Sequence, residues 1–449
     1  MYNHNNRQFL LRQSNNNVWN IFYNPNGELQ YSRLRGQTTF WSEPVTIVKS
    51  ASPFFYALFG PQNEVIVLYQ TVVGDIFLIN LEQPNSDPFP ILKGKNSSDY
   101  NKHISALYIN GRLYIYFVIK HNDKALLACQ TFNVDTVSSP STIDFIEYND
   151  LPYYVTKDED NNIFVFYPSF DGIYLQIGYK RFNPSSNMYS DFVTVTRGEG
   201  NSIYPRVIVD NNNIFHMCFQ KTFDRQNQLL YTQKIPGRNI WSEEIRIHAS
   251  TQSFLDSSLA FISNVLYIFR VLNDQIYYVF SVDNGKVFSK YCRYNFTCPK
   301  QLVCVIYSST GPFREKVIVS DELPCCFINS FKLAFVKIQD PPVTATNVSN
   351  LDFKNLILDT HKSFKSALEK NEENNDKNTD NINKLSGALV STQRDLDKAT
   401  LRIQALESEL RSVNEMESNL NYIKKVLSRN ELQELQDVDS VLNQGLDVV

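Results

Sequence analysis

Glycine, tryptophan and histidine are scarce in this 449-residue chain, at fifteen, three and six residues. With so little glycine there is no Gly-rich loop of the kind that cradles phosphate. The histidines (His4, His103, His121, His216, His248 and His361) are scattered, and none pairs at a metal-ligand spacing. No apolar run approaches the ~20 residues that span a bilayer, so no membrane span is expected. The opening stretch "MYNHNNRQFLLRQSNNN" has neither an apolar core nor a small-residue cleavage site, so residence in the cytosol is the default expectation. The net charge of −4 is small and indicates no general affinity for nucleic acid. It is also uneven: residues 351–449 hold 13 Lys+Arg against 18 Asp+Glu, leaving the rest of the chain close to neutral.

There are seven cysteines, and five of them (Cys292, Cys298, Cys304, Cys325 and Cys326) lie close together. Their spacing does not match the paired cysteines of zinc sites, and no histidine interrupts them. Reduced thiols serving as small core residues are expected in a cytosolic protein; an oxidising layer would allow cross-linking instead.

The aromatic residues divide the chain. Of 59, only Phe353, Phe364 and Tyr422 lie beyond Asn350, and all 18 prolines precede that point. The front is Tyr-, Phe-, Val- and Ile-rich in short runs, which is strand composition. Behind it come a linker and charged, Asn-rich spacer over 339–381, then a heptad segment.

Two phrases in the front part nearly repeat: "FWSEPVTI" (Phe40–Ile47) and "IWSEEIRI" (Ile240–Ile247). Each tryptophan follows a tyrosine by ten residues, Tyr31 to Trp41 and Tyr231 to Trp241. Tyr179 to Tyr189 and Tyr278 to Phe288 obey the same rule, and Ser42, Ser242, Ser190 and Ser289 follow the four aromatics. Independently, Asn-bearing turns recur at Asn17, Asn63, Asn110, Asn162, Asn213 and Asn264, with gaps of 46, 47, 52, 51 and 51. Strand-like runs such as "VWNIFY", "VIVLYQ" and "LYIYFV" follow these turns.

A period near 50 with several short strands per unit predicts an all-β propeller over residues 1–338, built of four-stranded blades that shield one another's faces. Six units are plain, and "KVIVSD" after Gly311-Pro312 continues the series, so seven blades are expected over six. In the first unit the strands read "QFLLRQ", "VWNIFY", "LQYSRL" and "PVTIV". The repeated aromatic opens the fourth, outer strand, with its ring wedged against the next blade and its serine bonded to backbone at the strand entry. The competing reading makes Trp41 and Trp241 platforms on which sugars stack.

"SVDNGKVF" (Ser281–Phe288) resembles the Asp-box turn of sialidases and other propellers. The resemblance implies that Ser281 and Asp283 bond turn backbone and that Gly285 supplies a positive φ, as a folding device. A sialidase-like glycoside hydrolase would also need an arginine cluster and an Arg-Ile-Pro phrase; "YPRV" (Tyr204–Val207) has the wrong order. The late tryptophan is similar to that of fungal fucose-lectin propellers, though three tryptophans are too few for a full ring of such sites. In its "LQYSRL…FWSEPVTI" phrasing, its Asn-rich background and the Leu-, Lys- and Glu-rich tail, the chain over its whole length resembles propeller–coiled-coil proteins of spore-forming anaerobic bacteria.

From Ile382 the apolar residues keep a seven-residue beat through Leu389, Leu396, Ile403 and Leu410, with a second seam from Leu385 to Leu427. This predicts coiled-coil helix over 382–443, self-association through it, and a disordered end at 444–449. The expected function is that of a non-enzymatic interaction or scaffold protein oligomerised by its tail; the resemblance alone implies a place in a spore or cell-envelope layer. The alternative is a lectin-like carbohydrate binder. No catalytic residue, cofactor or metal ligand is assigned.

Overall fold

The computed structural model describes residues 7–336, apart from the short stretches 37–39, 84–86, 95–96, 122–123, 134–135, 235–239, 297–301, 312–316 and 328–330. The linker, heptad segment and end expected over 339–449 lie outside the described residues, as do His4, Cys298 and His361.

Six antiparallel-built sheets follow one another along the chain. In sheet 1 the strands are Gln8–Arg12, Val18–Tyr23, Leu29–Leu34 and Val45–Val48, within a residue or two of the expected ones. Sheet 2 comprises Ala51–Phe59, Val65–Thr71, Ile76–Asn80 and Phe89–Leu92. Sheets 3, 4, 5 and 6 begin with Ser105–Ile109, Tyr154–Lys157, Asn201–Val209 and Ser257–Ile262. The fold is of propeller type. Hydrophobic clusters join sheet 1 to 2, 2 to 3, 3 to 4, 4 to 5 and 5 to 6, and a sixth joins sheet 6 to sheet 1 through the C-terminal strands. A single sheet could not bury both of its faces; the next sheet covers what it leaves exposed.

The asparagine rhythm has a backbone cause. Asn16, Asn63, Asn110, Asn161, Asn213 and Asn264, in the turns joining first and second strands, all have φ between +48° and +71°. Asparagine tolerates this left-handed region better than other residues with a side chain. Two of these lie one position before the asparagine marked by the sequence spacing, Asn16 for Asn17 and Asn161 for Asn162.

The repeated serine is a clasp. Ser42, Ser190, Ser242 and Ser289 each donate their amide to a carbonyl of the third strand (Arg33, Arg181, Gln233 and Phe280). Each hydroxyl accepts the amide of that same residue, at 2.9–3.1 Å. Ser138 repeats the arrangement on Thr131 in sheet 3, where no aromatic precedes it to mark the position.

Two expectations are corrected. The repeated aromatic stands just before the fourth strand in sheets 1 and 5, and its ring meets the preceding sheet, not the next. Trp241 lies 5.9 Å from Phe166 of sheet 4 and Phe288 lies 4.8 Å from Tyr231 of sheet 5, while Trp41 packs on the cluster between sheets 6 and 1, 5.7 Å from Phe327. The reason is cross-strand pairing. Trp41 bridges Leu34 and Trp241 bridges Lys234, and directly opposed residues share a face. Leu34 belongs to the cluster between sheets 6 and 1.

The seventh unit does not form a separate sheet among the described residues. Val303–Ser309 runs parallel to Gln8–Arg12 and carries Glu322–Cys326 and Lys332–Leu333, so sheet 1 grows to seven strands. Val317–Val319, the expected "KVIVSD" strand, pairs instead with the first strand of sheet 6. The four strands of this unit are thus divided, three on sheet 1 and one on sheet 6, and each covers an edge that its neighbour would otherwise leave bare.

The thiol expectation also needs amendment: Cys326 is disulfide-bonded, while Cys129, Cys218, Cys292, Cys304 and Cys325 are free. Burial pushes the Cys129 and Cys218 thiols up to about 12, so they remain neutral core residues. Among the described residues no helix is long and apolar enough to cross a membrane.

Candidate functional site

The first strands of successive sheets contact one another and so surround the centre of the ring. Between them opens a cavity of about 590 Å³. Tyr56 of sheet 2, Leu107 of sheet 3, Tyr154 of sheet 4 and Val207 of sheet 5 all reach it, as do Ile318 and Val319. Elements from so many sheets converge only near the axis. The rim is built from the first hairpins of sheets 4 and 5, Lys157–Asn161 and Val209–Asn213.

Those hairpins hold their own shape. Asp158 accepts the Asn162 amide at 2.8 Å and its side-chain NH₂ at 2.8 and 3.1 Å. Lys157 Nζ donates to Asn161 Oδ1 at 2.6 Å. Asp210 accepts the amides of Asn212 and Ile214 at 2.9 and 2.8 Å. Asn213 Oδ1 accepts the Glu159 amide at 3.2 Å, tying one hairpin to the next. The polar rim is thus fixed before any ligand arrives, which reduces the entropy lost on binding. At the floor, the Tyr154 hydroxyl donates to the Ser320 carbonyl. Burial raises Tyr154 well above the ordinary phenol value, so it is neutral at any working pH.

A smaller cavity of about 80 Å³ shares Tyr56, Tyr154 and Val155 with the mouth. Its far lining includes Arg7, His103, Ser105, Tyr153 and Asp321.

The arrangement most like a catalytic relay lies beside the mouth. Asp210 faces His216 Nε2 at 3.4 Å, and His216 Nδ1 meets the Tyr231 hydroxyl at 2.7 Å. Burial works to raise the Asp210 carboxyl, but the His216 ring and the two turn amides outweigh it and hold it below its usual value. His216 and Tyr231 have no exposed surface, and Phe261 stacks on the histidine ring. His216 and Tyr231 are thus closed off from solvent, and of Asp210, His216 and Tyr231 only Asp210 lines the mouth. Among the described residues no group of three or more His, Cys, Asp or Glu could hold a metal ion.

Trp41 and Trp241, the sequence candidates for sugar platforms, are not brought together. Trp41 sits in the cluster closing sheet 6 to sheet 1, and Trp241 in the cluster between sheets 4 and 5, packed among Phe166, Tyr179 and Phe215. Neither lines the mouth. The mouth residues themselves were missed. The "NN" at 161–162 and "DNNN" at 210–213 mark the right hairpins, but the same turn recurs in every sheet, so its rhythm does not distinguish the two that form a rim.

No known family model matches the chain, and no curated protein matches it. Solved structures do. An ulvan lyase bound to -[GlcA(1-4)Rha3S]- is similar with a TM-score of 0.50 at 13% identity, over 71% of this chain and 91% of that one. A second polysaccharide lyase gives 0.44 at 10% identity, over 67% and 84%. A lectin from Aleuria aurantia in complex with Fucalpha1-6GlcNAc gives 0.39 at 10% identity, over 64% and 95%. The first of these likenesses supports the propeller-type fold and nothing finer; the other two are looser.

Proposed function

We propose that this chain is a non-enzymatic binding propeller that takes a glycan at its axial mouth, gathered into oligomers by residues 382–443. The observation that carries the reading is the mouth itself. Two tyrosines form its floor and a pre-fixed rim of Lys157, Asp158, Glu159, Asn161, Asp210, Asn211 and Asn213 surrounds it. Sugars offer apolar ring faces and many hydroxyls. Aromatic floor and short amide and carboxylate rim match the two. A protein partner bound at the same mouth is the scaffold form of this reading, and assembly in a spore or envelope layer belongs to that form.

An array of glycans, including acidic polysaccharide fragments, probed with the full chain tests it. Selective binding is expected, and Glu159→Ala with Asn211→Ala, both exposed, is expected to weaken it tenfold or more. Trp41→Phe and Trp241→Phe should leave it within twofold. An empty array, or binding lost only in the tryptophan variants, would sink the mouth as the site. Cleavage of any bound polysaccharide would overturn the non-enzymatic reading.

A heptad rod that joins several mouths would convert weak contacts into avidity. Light scattering of the full chain is expected to give a multiple of 52.0 kDa. A chain ending at Asp340 should scatter as a monomer, and equal states for the two would remove the tail from the account.

A further inference from the structure

A second concavity, away from the mouth, has the opposite chemistry. A cleft of about 720 Å³ opens between sheet 6 and the segment Phe331–Val336, lined chiefly by Tyr267, Tyr278, Phe280, Tyr294 and Phe335. Lys332 is the one charged residue among the described residues of its lining. The rings form one continuous surface. Tyr267 and Phe280 are cross-strand partners, and Phe335 stacks at 4.7 Å on Tyr267 and lies 4.4 Å from Tyr294. Each of these five rings is only partly buried.

Phe335 is held there against its own backbone preference. Its φ is +63°, a region that bulky residues rarely enter. Its amide donates to the Tyr294 hydroxyl at 3.3 Å, which locks the turn onto the ring cluster. Such outliers persist where the surroundings over-determine them, commonly at ligand sites. Lys332 lies at the rim, exposed, with its ammonium 5.2 Å from the Phe296 ring centre.

We infer that this cleft binds an amphiphilic anion, an apolar ring or chain carrying a single carboxylate or sulfonate. The volume falls within the range of small-ligand pockets. The described residues of the walls offer three tyrosine hydroxyls and one ammonium, too few to pair the hydroxyls of a sugar, and unpaired buried hydroxyls weaken binding. An aromatic wall whose described residues hold one cation and no carboxylate selects for apolar body and negative head. The inference stands apart from the reading of the mouth.

The test uses two fluorescent probes that differ only in charge: 8-anilinonaphthalene-1-sulfonate and N-phenyl-1-naphthylamine, the same rings without the sulfonate. With the full chain, one sulfonate probe is expected to bind per chain and to be displaced by dodecanoate. Lys332→Glu reverses an exposed charge, so it should weaken the sulfonate about tenfold and leave the neutral probe within twofold. Val282→Trp, at an exposed position on the cleft wall, should abolish binding of both. Equal response of the two probes to Lys332→Glu, survival of both in Val282→Trp, or failure of dodecanoate to compete would each overturn the inference. Unchanged melting temperatures in both variants would establish that they fold. Glycan binding at the mouth should be unaffected by either.

Discussion

Gly285→Ala is expected to destabilise the propeller by about 3 kcal/mol or more, a large effect for the addition of one methyl group. Two causes act together. Gly285 has φ +82°, where a residue with a Cβ loses roughly 1–2 kcal/mol. A Cβ there would also lie 1.9 Å from the Tyr231 hydroxyl and 2.7 Å from the ring carbon bearing it. Tyr231 has no room to retreat: its ring packs on Phe288 and its hydroxyl bonds His216 Nδ1 and Gln233 Oε1. Moving it disturbs buried hydrogen bonds worth ~1–3 kcal/mol when left unmade.

Gly198 separates the two causes. Its φ is +84°, and nothing lies within 4 Å of its would-be Cβ. Gly198→Ala should therefore show the conformational cost alone, and the difference between the variants measures the collision. Thermal unfolding of both against the parent checks this. Adding Tyr231→Phe to Gly285→Ala should recover part of the loss, since it removes the atom struck first. If Gly285→Ala melts no lower than Gly198→Ala, the close approach at Tyr231 is not there.

The turn around Gly285 shows what a sequence can and cannot disclose. Ser281 and Asp283 were expected to bond turn backbone, and they do. The Gly285 amide donates to Ser281 Oγ at 2.8 Å, and the amides of Lys286 and Val287 donate to Asp283 Oδ1 at 3.1 and 3.0 Å. All of that is local, within seven residues. The contact with Tyr231 of the preceding sheet is not local, and no spacing announces it.

The same division runs through the fold. The strands of sheet 1 and the asparagine turns are legible because runs of β-branched and aromatic residues and a left-handed φ are properties of short stretches. The facing of Trp41 and Trp241 was misread because periodicity says which residues share a face but not which neighbour that face meets. The seventh unit was misread because whether its four strands stand alone or join other sheets depends on edges offered by Gln8–Arg12 and Ser257–Ile262, far away in sequence. The mouth needs Tyr56, Tyr154 and Asp210 together. Only ring geometry brings these three near one another.

Arg206 lies in "YPRV", a phrase that fitted no catalytic pattern, and the structure gives it a different task. Its guanidinium is 1% exposed, lies 2.9 Å from the carboxylate of Asp321, itself 9% exposed, and donates to the Leu255 carbonyl at 3.1 Å. Arg206 stands on the first strand of sheet 5, and Asp321 adjoins the Glu322–Cys326 strand that extends sheet 1. The pair therefore ties the first strand of sheet 5 to the strands that close the ring. Removing one partner of a buried pair leaves a charge in a low-dielectric site, so Arg206→Met and Asp321→Leu are each expected to cost about 3–5 kcal/mol. Removing both takes out the two facing charges together, and Arg206→Met with Asp321→Leu should be more stable than either single variant. Denaturant midpoints for the four chains form a double-mutant cycle that isolates the coupling. Additive losses would mean that the two residues act through separate neighbours. Recovery in the double variant would mean that the charges serve each other, and that the specificity of closure, more than its strength, is what this ion pair contributes.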